Sequence, residues 1–426
     1  MQRTIMGITF MAQRQLTTTS SSRPSAARRA ATLGTIAGTT VAVGLWAGKR
    51  AQSFLAEERP DSMIHWERSR EIASRMNAGD ALTASERIRL NAYYSELVDR
   101  CVPIVSEYTG TSLPEGTRET FAFDRVDWIN ANLAGFERMF APIEELNVHR
   151  GRKNPVARVW NGVNQSVLSY EVGLLLGYMA KRVLGQYDLA LLGREPVSAG
   201  KLYYVEPNIR GIERKLNLPR EDFRMWLALH ETTHAFEFEA HPWVREHFND
   251  MLDRYMTFMR QDADQLKQGF QGLRQLATRG RSSDSEERGS WIEAFMSAEQ
   301  RQLFTDMQAM MCVIEGYSNH IMNAVGKELL PNYELISQRF EERQSQRSQA
   351  DQLFARLTGL DVKMEQYRAG EEFIDRIVEL RGHTFAHRVW DGPVHLPSMD
   401  EIRHPEKWIE RIDALDRSFA AAAVEA

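Results

Sequence analysis

From Trp66 onward, apolar residues return every three or four positions, the period of a helix that buries one face. Residues 86 to 106 and 129 to 146 carry this spacing with charges between the apolar positions. Gln165 to Leu184 is more continuously apolar, and Gly173 and Gly177, one helical turn apart, predict that another helix packs closely against it. Lys181 and Arg182 suit a helix C-terminus, and Gly185 is expected to stop the helix. Only Lys201 to Val205, between Gly200 and Pro207, has the β-rich run of a strand. His247 to Leu276 reads as charged helix, 278 to 289 as a polar loop and Arg339 to Gln352 as a solvated helix face. The fold class is therefore mostly α, or α+β with a minor strand element.

One helical stretch carries chemistry. Pro219, Glu221 and Asp222 mark a helix start, and Phe223, Leu227, His230 and His234 follow at helical spacing. The run His230-Glu231-Thr232-Thr233-His234 is an HExxH. Two histidines four apart share a helix face and can present both rings to one metal ion, with Glu231 beside it as a base for water. Zinc suits such a pair, and a catalytic zinc site needs at least one further protein ligand. The metzincin pattern fails, because Glu237 and Ala240 stand where its glycine and third histidine belong. His241, followed by Pro242, marks the helix end, and His247 and Asp250 have no supporting pattern.

Glu315 is the better third ligand. Phe304, Met307, Met311 and Glu315 form one apolar stripe, where a lone carboxylate asks for a cation. The alternative is a salt bridge to an arginine or lysine elsewhere. Asn319, one turn on, is placed to hold the second ring nitrogen of a ligating histidine. Cys312 reads as a small core residue. Tyr317, His320, Tyr367, His387 and Arg388, with His383, are candidate stabilisers of the oxyanion formed when a carbonyl is attacked. Trp390 and Trp408 read as packing anchors.

The run Leu227-Ala228-Leu229-His230-Glu231-Thr232-Thr233-His234-Ala235-Phe236-Glu237-Phe238-Glu239, with Pro242-Trp243 after it, resembles the zincin-like metallopeptidases common in actinobacteria and Chloroflexi. Asn208-Ile209, Leu184 to Asp188, Glu315-Gly316, and Lys363 to Tyr367 with Gly370 extend the resemblance over roughly residues 60 to 412. Much of that family has no assigned activity, and one branch is associated with biosynthesis of a deazaflavin coenzyme. The resemblance implies zinc held by His230, His234 and Glu315, with Glu231 as base. It also implies a strand ahead of the HExxH helix, here Lys201 to Val205, that pairs with an extended peptide; an ordinary core strand is the alternative reading of this segment. The family usually has Asp at the position of Asn319, and a neutral amide orients a histidine less strongly.

Composition adds boundaries. Hydrophobic residues make up 43% and charged residues 26%, as in an ordinary globular protein. The net charge of −5 provides no basic footprint, so no nucleic-acid partner is expected. Residues 1 to 50 hold seven Lys or Arg and no acid, which leaves −12 on the remainder. The two cysteines suit a reducing compartment. Three segments are expected: a basic N-terminal tail over 1–55 with a charge-free apolar segment at 30–48, a zincin-like catalytic domain over 56–415, and a C-terminal tail over 416–426. The body is expected in the cytoplasm. Segment 30–48, after Arg28-Arg29, reads as a membrane-associating or export segment, or as a glycine-rich helix lying on the domain or a partner. The function these residues predict is a zinc-dependent metallopeptidase taking a peptide or small amide. The alternatives are a non-peptide amide or ester hydrolase of coenzyme metabolism and a non-catalytic zinc-binding scaffold. Oligomeric state is not legible.

Overall fold

In a computed structural model, residues 64–114, 117–150, 155–187, 201–261, 297–345 and 360–425 are described. The N-terminal tail, including 30–48, and the loop at 278–289 lie outside them. No helix among the described residues is long and apolar enough to cross a membrane.

The helices form where the periodicity places them, and local caps set their ends. In chain order they begin with α1 (Trp66–Met76) and α2 (Ala84–Thr109). A capping box between Thr83 and Glu86 starts α2, and Gly110, at φ 66°, ends it in the left-handed conformation glycine tolerates. Strand β1 (Glu119–Phe123) leads into α3 (Arg125–Arg150) and α4 (Pro155–Ala180). Gly173 and Gly177 pack against Ser69, Ile72, Ala73 and Met76 of α1, the close approach their spacing predicts.

The end of α4 departs from expectation. The helix stops at Ala180, and Gly185 opens a strand, β2 (Gly185–Tyr187). The cause is Asn208, whose side-chain amide donates to the carbonyls of Ala180 at 2.7 Å and Val183 at 2.6 Å. It satisfies the helix end before the glycine is reached. Strand β3 (Lys201–Val205) runs parallel to β1 and antiparallel to β2, in the order β1-β3-β2. Of the two readings of Lys201 to Val205, the structure has the ordinary core strand: β3 is central, with both edges occupied. Among the described residues β2 and β1 are the outer strands.

Helix α5 (Glu206–Lys215) follows β3 directly, then α6 (Arg220–Glu239), the HExxH helix, and α7 (Trp243–Gln261). Beyond lie α8 (Ala298–Leu329), α9 (Tyr333–Ser345) and α10 (Leu360–Arg381). Short helices α11 (His383–Ala386) and α12 (Met399–Arg403) lead to α13 (Pro405–Glu425). Within the segment expected as a C-terminal tail, residues 416–425 form the last turns of α13, and Asp416 there pairs with Arg388. Trp390 and Trp408 are buried, and the Trp408 indole donates to the His395 carbonyl at 2.7 Å.

Helix α6 lies in the middle of the main core, buried on nearly every side from Phe223 to Phe238 and packed against α2, α8 and β2. Its first turns are fixed by Arg224, which is fully buried. This guanidinium donates to Glu206 at 2.8 Å, to Glu213 at 2.6 Å and to the Tyr94 hydroxyl at 3.1 Å. Burial alone raises the Glu206 pKa, but Arg224 outweighs it and holds the carboxyl below the usual range. Removing one partner of such a buried network strands the other charge. Arg224→Met is therefore expected to cost about 3–5 kcal/mol, read as a lower midpoint in urea unfolding.

Candidate metal centre

The turn from Leu229 to His234 sets the site. His230 and His234 sit one turn apart with their rings edge to face, centroids 4.6 Å apart. Their Nε2 atoms point at one another at 3.2 Å. Two ligands on a tetrahedral zinc, each about 2.0–2.1 Å from the ion, stand about 3.3 Å apart. Glu315, from α8, brings a carboxylate oxygen so that the three ligand atoms lie within 4.8 Å of one another. It makes no salt bridge to a lysine or arginine among the described residues, so the structure does not show the alternative left open for it. Two nitrogens and a carboxylate oxygen, half-buried to buried, are a donor set that zinc takes.

The far sides of both rings are held. His234 Nδ1 meets Glu237 Oε2 at 2.7 Å, and Glu237 is 1% exposed. His230 Nδ1 meets the Ser318 hydroxyl at 3.1 Å, with Met322 Sδ at 3.2 Å. Partners at Nδ1 leave Nε2 free to ligate and fix the plane of each ring. Burial, and then the neighbouring His234, hold the His230 pKa well below its usual value, so this ring is neutral and ready to bind. Burial also opposes charge on His234, but Glu237, with Glu315 and Glu231 beyond it, overcomes that and raises its pKa. Carboxylates thus surround a histidine pair, an environment that favours a cation.

Glu231 is buried at 4%. Its carboxyl fills the place where a side chain on Gly185 would be: a Cβ there would lie 2.7 Å from the Glu231 Cδ, and closer still to Oε1. The first residue of β2 is glycine because the carboxylate needs that room.

Among the described residues, none of the other sequence candidates hydrogen-bonds either ring. Asn319 is half-buried and makes no hydrogen bond to either histidine. The ring nitrogens it was expected to hold are taken by Glu237 and Ser318. His320 has both nitrogens engaged, with the Tyr108 hydroxyl at 2.6 Å and Asp375 at 2.5 Å, so it has no free N–H for an oxyanion. The Tyr317 hydroxyl lies against the His387 ring at 3.1 Å. Burial first, and then the Glu237 carboxylate, raise the Tyr317 pKa well above its usual value. Burial, then His383, His241 and His320, push the His387 pKa down to about 4. Arg388 pairs with Asp416 and Asp391. The side chain of Tyr367 lies outside the described residues, and Cys312 is buried core, against Gly370. Sequence reasoning missed Glu237, Ser318 and Gly185. For Glu237 the signal was its place three residues after His234, on the same helix face.

A family described as zincin-like metallopeptidase matches residues 64–409. None of the curated proteins matches the chain. A crystal structure from Chloroflexus aurantiacus, of a provisionally assigned hydrolase with a novel fold, is similar at 40% identity and a TM-score of 0.62. The match covers 82% of this chain and 99% of that one. With the match extending over both the HExxH helix and the helix of Glu315, the chain belongs to the zincin-like metallopeptidase family.

Proposed function

We propose that this protein is a zinc-dependent hydrolase that cleaves peptide bonds, with His230, His234 and Glu315 as ligands and Glu231 as general base. The observation that carries the reading is the convergence of the two Nε2 atoms at 3.2 Å with the carboxylate of Glu315 beside them. Bound there, zinc polarises a carbonyl and brings the pKa of water to about 7. The chain's own residues do the rest. Glu237 and Ser318 keep the two rings oriented. Glu231 takes a proton from the attacking water and passes it to the leaving nitrogen. Its burial against Gly185 restricts the carboxylate to one side of the helix.

The sheet supports a peptide over another amide. Strand β2 is outermost among the described residues, and its first residue touches Glu231. An extended chain paired along β2 passes its carbonyls close to the base.

Zinc analysis of the purified protein is expected to give about one ion per chain. His230→Ala and His234→Ala lose it, and unchanged zinc in both would remove the ligand assignment. Glu231→Gln keeps zinc and loses turnover in a peptide-library digest; equal cleavage by this variant and wild type would exclude the base. Gly185→Ala is expected to behave like Glu231→Gln, with zinc retained and kcat reduced, because the flexible carboxylate yields and leaves its seat. Glu237→Gln should weaken zinc binding about 10–100-fold, measured by competition with a chromogenic chelator.

A further inference from the structure

Tyr204, on β3, is fully buried, and its hydroxyl has no hydrogen-bond partner. A buried phenol without a partner is costly, so its surroundings bear on what it does. The strand register places Tyr204 directly opposite Gly185 of β2. Residues facing each other across an antiparallel pair project from the same face of the sheet. The absent side chain of Gly185 points at Glu231, so Tyr204 rises from the face on which Glu231 lies, one strand further in. Its ring is fixed there by parallel stacking on Tyr94, centroids 4.0 Å apart. Burial first, then the Glu231 charge and Cys101, hold the phenol protonated, so it is a donor and Glu231 is an acceptor within electrostatic reach.

We propose that Tyr204 is a positioning residue for Glu231: in the zinc-loaded protein the carboxylate turns within its seat beside Gly185 and accepts a hydrogen bond from this hydroxyl. Gly185 and Tyr204, cross-strand neighbours, are then two halves of one seat for the base. The glycine provides room and the phenol provides a fixed donor. No contact with substrate or metal is required of Tyr204. Its catalytic consequence rests on the hydrolase reading above; its hydrogen bond to Glu231 does not.

The test is a double-mutant cycle in the zinc-loaded full chain: wild type, Tyr204→Phe, Glu231→Ala and the double variant, each checked for zinc content. Phenylalanine keeps the stack on Tyr94 and removes only the hydroxyl. If the hydroxyl serves the carboxylate, Tyr204→Phe lowers Tm by about 2–4 °C and has little effect in the Glu231→Ala background. An unpaired hydroxyl gives the opposite result, with Tm unchanged or raised by its removal. Equal shifts in both backgrounds also overturn the proposal. On a cleaved peptide, Tyr204→Phe lowers kcat about tenfold with KM unchanged. If thermal coupling is present but no peptide is cleaved by wild type, the hydrolase reading falls and the Tyr204 contact stands. If cleavage depends on Glu231 but the cycle is additive, the reverse holds.

Discussion

Two imidazole nitrogens aimed at one another across 3.2 Å inside a helix that is buried almost all round are the constraint on which this structure turns. Neutral rings facing each other through their lone pairs repel. The arrangement is stable when a cation or a proton sits between the rings, and the ring far sides are already committed to Glu237 and Ser318. The rest of the fold holds this helix still and brings it a third ligand.

Holding it still falls to the buried network of Arg224, Glu206, Glu213 and Tyr94, which ties the start of α6 to α2 and α5. Bringing the third ligand falls to α8, which must approach α6 from far along the chain. Its placement is set from behind. A side chain on Gly316 would overlap the backbone of Gly370, and one on Gly370 would overlap the Cys312 carbonyl. The two helices thus cross backbone to backbone immediately beside Glu315. Glycines at that crossing fix how deep α8 sits, and so where the carboxylate arrives. On the third side β2 contacts α6 and leaves the Gly185 notch for Glu231.

Much of this was legible in the residue pattern, and the limits have physical causes. HExxH and the stripe ending at Glu315 are local periodicities, and helices report themselves through such spacing. The pair Gly173 and Gly177 was legible as a close helix contact for the same reason, though not which helix arrives. Strand order is a property of distant residues. Lys201 to Val205 reads as a strand from its composition, but its central position depends on β1 and on a three-residue β2 too short to announce itself. The end of α4 was misplaced because a side chain from α5, Asn208, finishes it. The oxyanion candidates illustrate the same limit. His320 and Arg388 are chemically suited, yet their partners Tyr108, Asp375 and Asp416 lie far away in sequence and already use their donors.

Charge around the rings explains the division of labour among the carboxylates. Asn319 was the expected orienting group because it follows Glu315 by one turn, yet the orienting carboxylate is Glu237, on the histidine helix itself. An acid there stays in register with His234 whatever α8 does, because both sit on one rigid helix three residues apart. Ser318 serves His230 from α8 instead, and a neutral hydroxyl suffices because burial already keeps that ring uncharged. Each ring thus has a partner matched to its electrostatic surroundings: a carboxylate beside the ring that attracts positive charge, a hydroxyl beside the one that does not. The orienting charge of the site is thus supplied by α6 itself, through Glu237, while Asn319 hydrogen-bonds neither ring.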